Sequence, residues 1–229
     1  MGIDLYTTTL ATRLSTLRPH ALDYVVDPTG WALWGASRLG RVLTRHDYVD
    51  VEEEELDRSR GVDAARAWLA MLAQTEPALV DHSSTLLDAE EDDDGFFDRL
   101  DTIGLGQVLE LARAVQQGIE LPEDSDELFP LANAAPRVSR AEGPMSALLL
   151  ADAYDVLWMP VPMRFAWDGP MGAVASTHQL RADLERLPPV LRTDGPPTND
   201  AWLRAWSVVD AFYGALESAG DTHCVALSA

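Results

Sequence analysis

The sequence predicts an α+β fold, predominantly α-helical with a few short strands, in which the N- and C-terminal strands join in one small sheet. Three observations carry that expectation. Apolar residues recur at helical spacing in several separate segments. The two ends, "GIDLY" and "THCVALSA", are short apolar runs that suit strands. Hydrophobic residues make up 47% of 229 residues, which is enough for a substantial core.

The elements follow in order. "GIDLY" reads as a first strand, and a short helix is expected over 10–17, ending before Pro19. "LDYVVD" reads as a brief strand. Asp27 as N-cap and Pro28 in the first turn open a helix that runs to about His46. An acidic stretch, "DYVDVEEEELDRSRG", leads to a helix over 62–74, and "EPALVDHSSTLLDAE" reads as another. "FFDRLDTIGLGQVLELARAVQQG" places Leu105, Val108, Leu111, Ala112 and Val115 on one helical stripe. Gly104 and Gly106 are expected to break or kink it, and Gly118 to stop it. "GPMSALLLADAYDVLW" reads as a mostly buried helix, followed by extended "MPVPM". A helix over 175–187 ends at Pro188-Pro189. "LRTDGPPTND" then caps a long last helix with Trp202, Trp206, Val209, Tyr213 and Leu216 on one stripe. One domain spanning 1–229 is expected, with a long loop or seam at 119–143, where periodicity is lost among Pro, Asp, Glu and Ala.

Charge narrows the function classes. The chain has 38 acidic residues against 17 basic ones, every one of them arginine, for a net charge of −21 and a pI near 4.3. Such a field repels nucleic acid and anionic membranes and attracts a basic protein. The lysine-free composition, with Arg and Ala in its place, fits a high-GC bacterium, and salt adaptation would produce similar acidity. A single cysteine excludes an internal disulfide. "MGIDLY" lacks a signal-peptide pattern, Tyr6 stands where a myristoylation motif needs Ser or Thr, and no apolar run is long enough to span a bilayer. A cytoplasmic protein without membrane contact is expected.

Within 27–46, Trp31, Trp34, Arg38, Arg41 and Arg45 fall inside an arc of about 80° on a helical wheel. Ala32, Ala36, Leu39 and Leu43 gather on another side, suited to the core. Trp and Arg are the side chains most enriched at interface hot spots, and Trp34 and Arg38 are spaced for cation–π stacking. These five residues are the candidate binding face. The alternatives are tryptophans packed on the last helix with arginines paired to residues 52–55, or an anion pocket.

"EEDDDGFFDRLD" partly resembles an EF-hand calcium loop. Glu90, Asp92 and Asp94 would stand at positions 1, 3 and 5, Gly95 at 6, Phe97 at 8 and Asp101 at 12. Position 1 is Glu and position 12 is Asp, both departures, and no second loop accompanies it. The reading retained has no metal and no cofactor: Asp94 caps a helix that starts at Phe96, with the other carboxylates solvated near its positive end.

No catalytic motif is present. The histidines (His20, His46, His82, His178 and His223) are scattered, no H-E-x-x-H occurs, and "DHSS" at 81–84 cannot form a triad from adjacent helical positions. His223 and Cys224 would point to opposite faces of a strand, with Cys224 buried. The residues point to an acidic protein-binding or accessory domain, an inhibitor or immunity-type factor with a basic partner. The alternative is a small enzyme with a dispersed site drawn from His46, His82, Asp81 or His178. A DNA mimic is a third, weaker reading.

Overall fold

The computed structural model describes residues 2–15, 66, 69–70, 73, 76–90, 95–119, 144–153, 155–163, 167–169 and 172–228. The expected helix over 27–46, with Trp31, Trp34, Arg38, Arg41 and Arg45, lies outside the described residues. So do "LDYVVD", the acidic stretch before residue 62, and most of the seam at 119–143.

The chain opens with β1 (Ile3–Thr8) and α1 (Leu10–Ser15), as the two ends of "GIDLY…LATRL" suggested. Arg66, Leu69 and Ala70 are helical, in keeping with the helix expected over 62–74. Next comes α2 (Leu79–Asp88), within the segment expected to be helical. β2 (Phe97–Leu100) precedes α3 (Thr102–Gln116), and here the expectation of a helix from Phe96 is corrected. Phe97 to Leu100 pair antiparallel with β1, from Tyr6↔Phe97 to Ile3↔Leu100. The cap is Asp101 rather than Asp94: its carboxylate accepts the Ile103 N–H at 3.2 Å and pairs with Arg204 at 3.1 Å.

The helix α3 runs through Gly104 and Gly106 without a break. Gly104 answers to packing instead, because a Cβ there would lie 2.6 Å from the Arg204 carbonyl oxygen. Gly118, at φ 67°, stops the helix as expected.

The segment 144–159 is a second correction. It folds as a single turn, α4 (Ser146–Leu149), a 3₁₀ turn over Leu150–Ala153, and β3 (Asp155–Met159). β4 (Trp167–Gly169) and β5 (Gly172–Ser176) follow, and neither was expected. α5 therefore begins later than anticipated, at Thr177, and ends at Leu184, with the Ser176 hydroxyl accepting the His178 N–H at 3.1 Å. "MPVPM" bends rather than extending, the Val161 N–H donating to Met159 O. After a 3₁₀ turn at Pro189–Arg192 come α6 (Asp200–Ala219) and β6 (Cys224–Ser228), both as expected.

The six strands of the described residues share one mixed sheet in the order β2-β1-β6-β3-β5-β4. β1 and β6 pair antiparallel from Asp4↔Ser228 to Thr8↔Cys224, so the terminal strands are neighbours. Among these strands only β3 and β5 run parallel. Side-chain alternation sorts the strands onto two faces. Leu5, Val156, Trp158, Ala175, Val225 and Leu227 face a core formed with α3 to α6. Leu157, Met159, Val174, Cys224 and Ala226 face a second core with Leu10, Leu69, Leu79 and Leu86.

Trp158 anchors the first core. It is fully buried, meets Phe212 edge-on at 5.7 Å, and donates its indole N–H to Ala147 O at 3.0 Å. Truncating a buried side chain of this size costs about 3–5 kcal/mol. Trp202, Val209 and Leu216 of the α6 stripe are buried, while Trp206 and Tyr213 are half-buried against the same core.

Candidate functional site

The surface with the clearest chemical character lies where the ends of α2 and α6 meet the β1/β6 corner. Helix C-termini carry the negative end of the backbone dipole, and cations are favoured there. Neither α2 nor α6 has a basic residue in its last turn. α2 ends instead on exposed Asp88, with exposed Glu90 two residues on, and α6 ends with exposed Glu217 and then Asp221. None of these four carboxylates has an ion-pair partner among the described residues. Each opposes the helix end beside it, by about 0.3–1 kcal/mol for an exposed charge at low salt.

Hydrogen bonds tie these ends together. His223 Nε2 lies 2.9 Å from Glu90 O, and its Nδ1 lies 2.9 Å from Thr222 Oγ1. A carbonyl only accepts, so the proton belongs on Nε2, leaving Nδ1 to accept from the Thr222 hydroxyl. Six residues beyond Glu90, the Phe96 N–H donates to Thr7 Oγ1 at 2.9 Å and to Ser218 Oγ at 3.2 Å, and Thr7 N–H donates to Phe96 O at 3.0 Å. The Phe96 ring sits against Gly214, where a Cβ would come within 2.7 Å of it. Hydrogen bonds thus hold Glu90 and Phe96, while residues 91–94 lie outside the described residues. Near Phe96 stands Phe97 on the sheet edge, 66% exposed. The described carboxylates at the helix ends make a negative surface with an aromatic side chain near it.

Among the described residues, most arginines are engaged elsewhere. Arg13 pairs with Asp155, Arg99 with Asp4, Arg113 with Glu110 and Asp152, Arg186 with Asp183, and Arg204 with Asp101. Pairing removes these arginines as counter-charges for the α2/α6 corner.

Of the residues considered for a dispersed enzyme site, Asp81 and His82 do not converge with His178. Asp81 and His82 are on α2, which packs on the second core, whereas exposed His178 is on α5, which packs on the first; the sheet lies between them. His20 and His46 lie outside the described residues. Cys224 is fully buried and burial pushes its thiol up to about 12, so it stays protonated and unreactive at neutral pH.

Among the described residues, no group of three or more His, Cys, Asp or Glu side chains is placed to hold a metal ion. The EF-hand comparison fails at position 12, since the Asp101 carboxylate caps α3 and pairs with Arg204. No helix among the described residues is long and apolar enough to cross a membrane.

Sequence reasoning missed the roles of Thr7, Ser218 and His223, which depend on contacts across the fold. The acidic helix ends were visible in "TLLDAEEDDDG" and "ALESAGD", where a basic residue would be the electrostatic norm. Comparison with protein-family models, with curated proteins and with solved structures found no match for this chain.

Proposed function

We propose that this chain is a cytoplasmic protein-binding domain, an accessory or inhibitor/immunity-type factor whose acidic surface takes a basic protein partner. The observation that carries the reading is the pair of helix C-termini ending on carboxylates with no ion-pair partner among the described residues: Asp88 and Glu90 at α2, Glu217 and Asp221 at α6. A surface that is electrostatically unfavourable by itself becomes favourable when Lys or Arg side chains of a partner settle on it. The same field speeds encounter with a basic protein and disfavours nucleic acid. Phe97 supplies apolar area beside it, and the Trp31/Trp34/Arg38/Arg41/Arg45 face is the proposed second contact, read from the sequence.

The test is affinity capture from host lysate at two salt concentrations, read by mass spectrometry. Wild type is run beside Glu217→Gln/Asp221→Asn and beside Trp31→Ala/Trp34→Ala/Arg41→Glu, each shown folded by circular dichroism. A basic protein retained by wild type, weakened by salt and lost from the acidic-end variant supports the reading. If wild type retains nothing that either variant loses, the proposal fails.

A further inference from the structure

Two cations stand apart from the pairing described above. Arg181 and Arg192 have no carboxylate partner among the described residues, in a chain with 38 acidic residues. Both act on Tyr213, on the partly buried side of α6. Burial pushes the Tyr213 phenol up, while Arg192 pulls it down, Glu185 pushes it up and Arg181 pulls it down. Arg192, with Arg186 and Glu185, forms the charged lining of a cleft of about 260 Å³ walled by Val115, Ile119 and the turn at 187–189.

Arg186 is already held in place. One of its terminal nitrogens donates to Pro144 O, Ala182 O and Asp183 Oδ1, at 3.0–3.2 Å. A guanidinium so fixed loses little side-chain entropy on meeting a ligand. The cleft therefore offers apolar walls, the guanidinium of Arg192 and the fixed guanidinium of Arg186.

We propose that this cleft binds a small monocarboxylic acid with a compact apolar body. Guanidinium groups match a carboxylate in geometry and charge. The volume lies just below the range of about 300–1,000 Å³ typical of drug-sized ligands, which restricts the body to one ring or a short chain. Glu185 disfavours a second negative charge, which sets a monocarboxylate above phosphate. This inference uses different residues from the acidic end of α2 and α6, so the two readings stand or fall separately.

The experiment is a ¹⁵N-amide NMR titration of the full chain with three probes: benzoate, benzyl alcohol and inorganic phosphate. Benzoate is expected to give saturable shifts at the amides of 185–187 and 190–192, with the other two at least about fivefold weaker. Arg192→Gln, at an exposed position on the cleft, weakens benzoate binding by about three- to tenfold, and Glu185→Gln tightens it by about threefold. Absence of saturable benzoate shifts overturns the proposal. So does equal binding of benzyl alcohol, which would leave the arginines without a role, or equal binding of phosphate, which would leave the apolar walls without one. Indifference of both variants overturns it as well.

Discussion

Asp183 is the buried carboxylate most open to a quantitative test. It is 3% exposed, and its Oδ2 accepts the N–H groups of Ala147 and Leu148 at 3.0 and 3.1 Å, while Oδ1 faces Arg186 at 3.1 Å. Burial raises its carboxyl from 3.8 to about 7, against the opposing pull of the two N–H groups and Arg186. Protonation is therefore favoured more in the folded than in the unfolded chain. The stability this contributes is fully present below the unfolded value and is lost as pH rises through about 7. Across that whole window the swing is about 4 kcal/mol, at 1.36 kcal/mol per unit.

Asp183→Asn keeps the shape and an acceptor for the two N–H groups but removes the titration. Because the other carboxylates titrate in both proteins, the difference between wild type and variant isolates Asp183. The pI near 4.3 makes pH 5–8 the useful range. Within it, the stability of wild type relative to Asp183→Asn is expected to fall by about 2–3 kcal/mol, most of it between pH 5 and 7. In urea unfolding followed by tryptophan fluorescence, that is roughly 1 M in relative midpoint. A difference that stays constant with pH, or one that grows as pH rises, would refute the argument. The second outcome would mean that the helix N–H groups and Arg186 outweigh burial and hold the carboxylate ionised.

Three other predictions follow from packing and charge. Gly104→Ala drives a Cβ to within 2.6 Å of backbone at Arg204 and is expected to cost about 1–3 kcal/mol, whereas Gly106→Ala, with nothing within 4 Å, gains about 0.5–1 kcal/mol of helix propensity; thermal denaturation of the pair should move in opposite directions. Glu217→Arg places a cation at the negative end of α6 and should stabilise by about 0.5 kcal/mol, or roughly 1–2 °C in Tm, while weakening capture of a basic partner; a loss of stability would contradict the electrostatic account of this end. Cys224, fully buried with its thiol pushed up to about 12, should resist a thiol reagent such as DTNB in the native protein and react on unfolding, and rapid native labelling would show that the strand opens.

What could be read from the sequence by itself was whatever local chemistry decides. The last helix was legible because Asn199 and Asp200 open a run with one apolar stripe, and its buried members are Trp202, Val209 and Leu216. The stop at Gly118 was legible because the positive φ there suits glycine. The terminal strands were legible as short apolar runs, and their union in one sheet was a topological expectation that β1 and β6 fulfil. The excess of carboxylates, and their presence at helix ends that favour cations, is likewise a property of the chain.

Tertiary structure decided the rest. β3 and β5 are apolar at nearly every position because both faces of the sheet are covered, and an unbroken apolar run has no period to distinguish strand from helix. "FDRL" became a strand only because β1 was there to pair with it, which moved the helix cap from Asp94 to Asp101. Gly104 resembled a helix breaker until the approach of α6 gave it a packing role. The corner that gathers Asp88, Glu90, Glu217 and Asp221 depends on His223 reaching Glu90 and on Thr7 and Ser218 reaching Phe96, contacts spanning 133, 89 and 122 residues of chain. Periodicity reports which face of an element is apolar. Which elements meet is settled by the sheet that both termini complete.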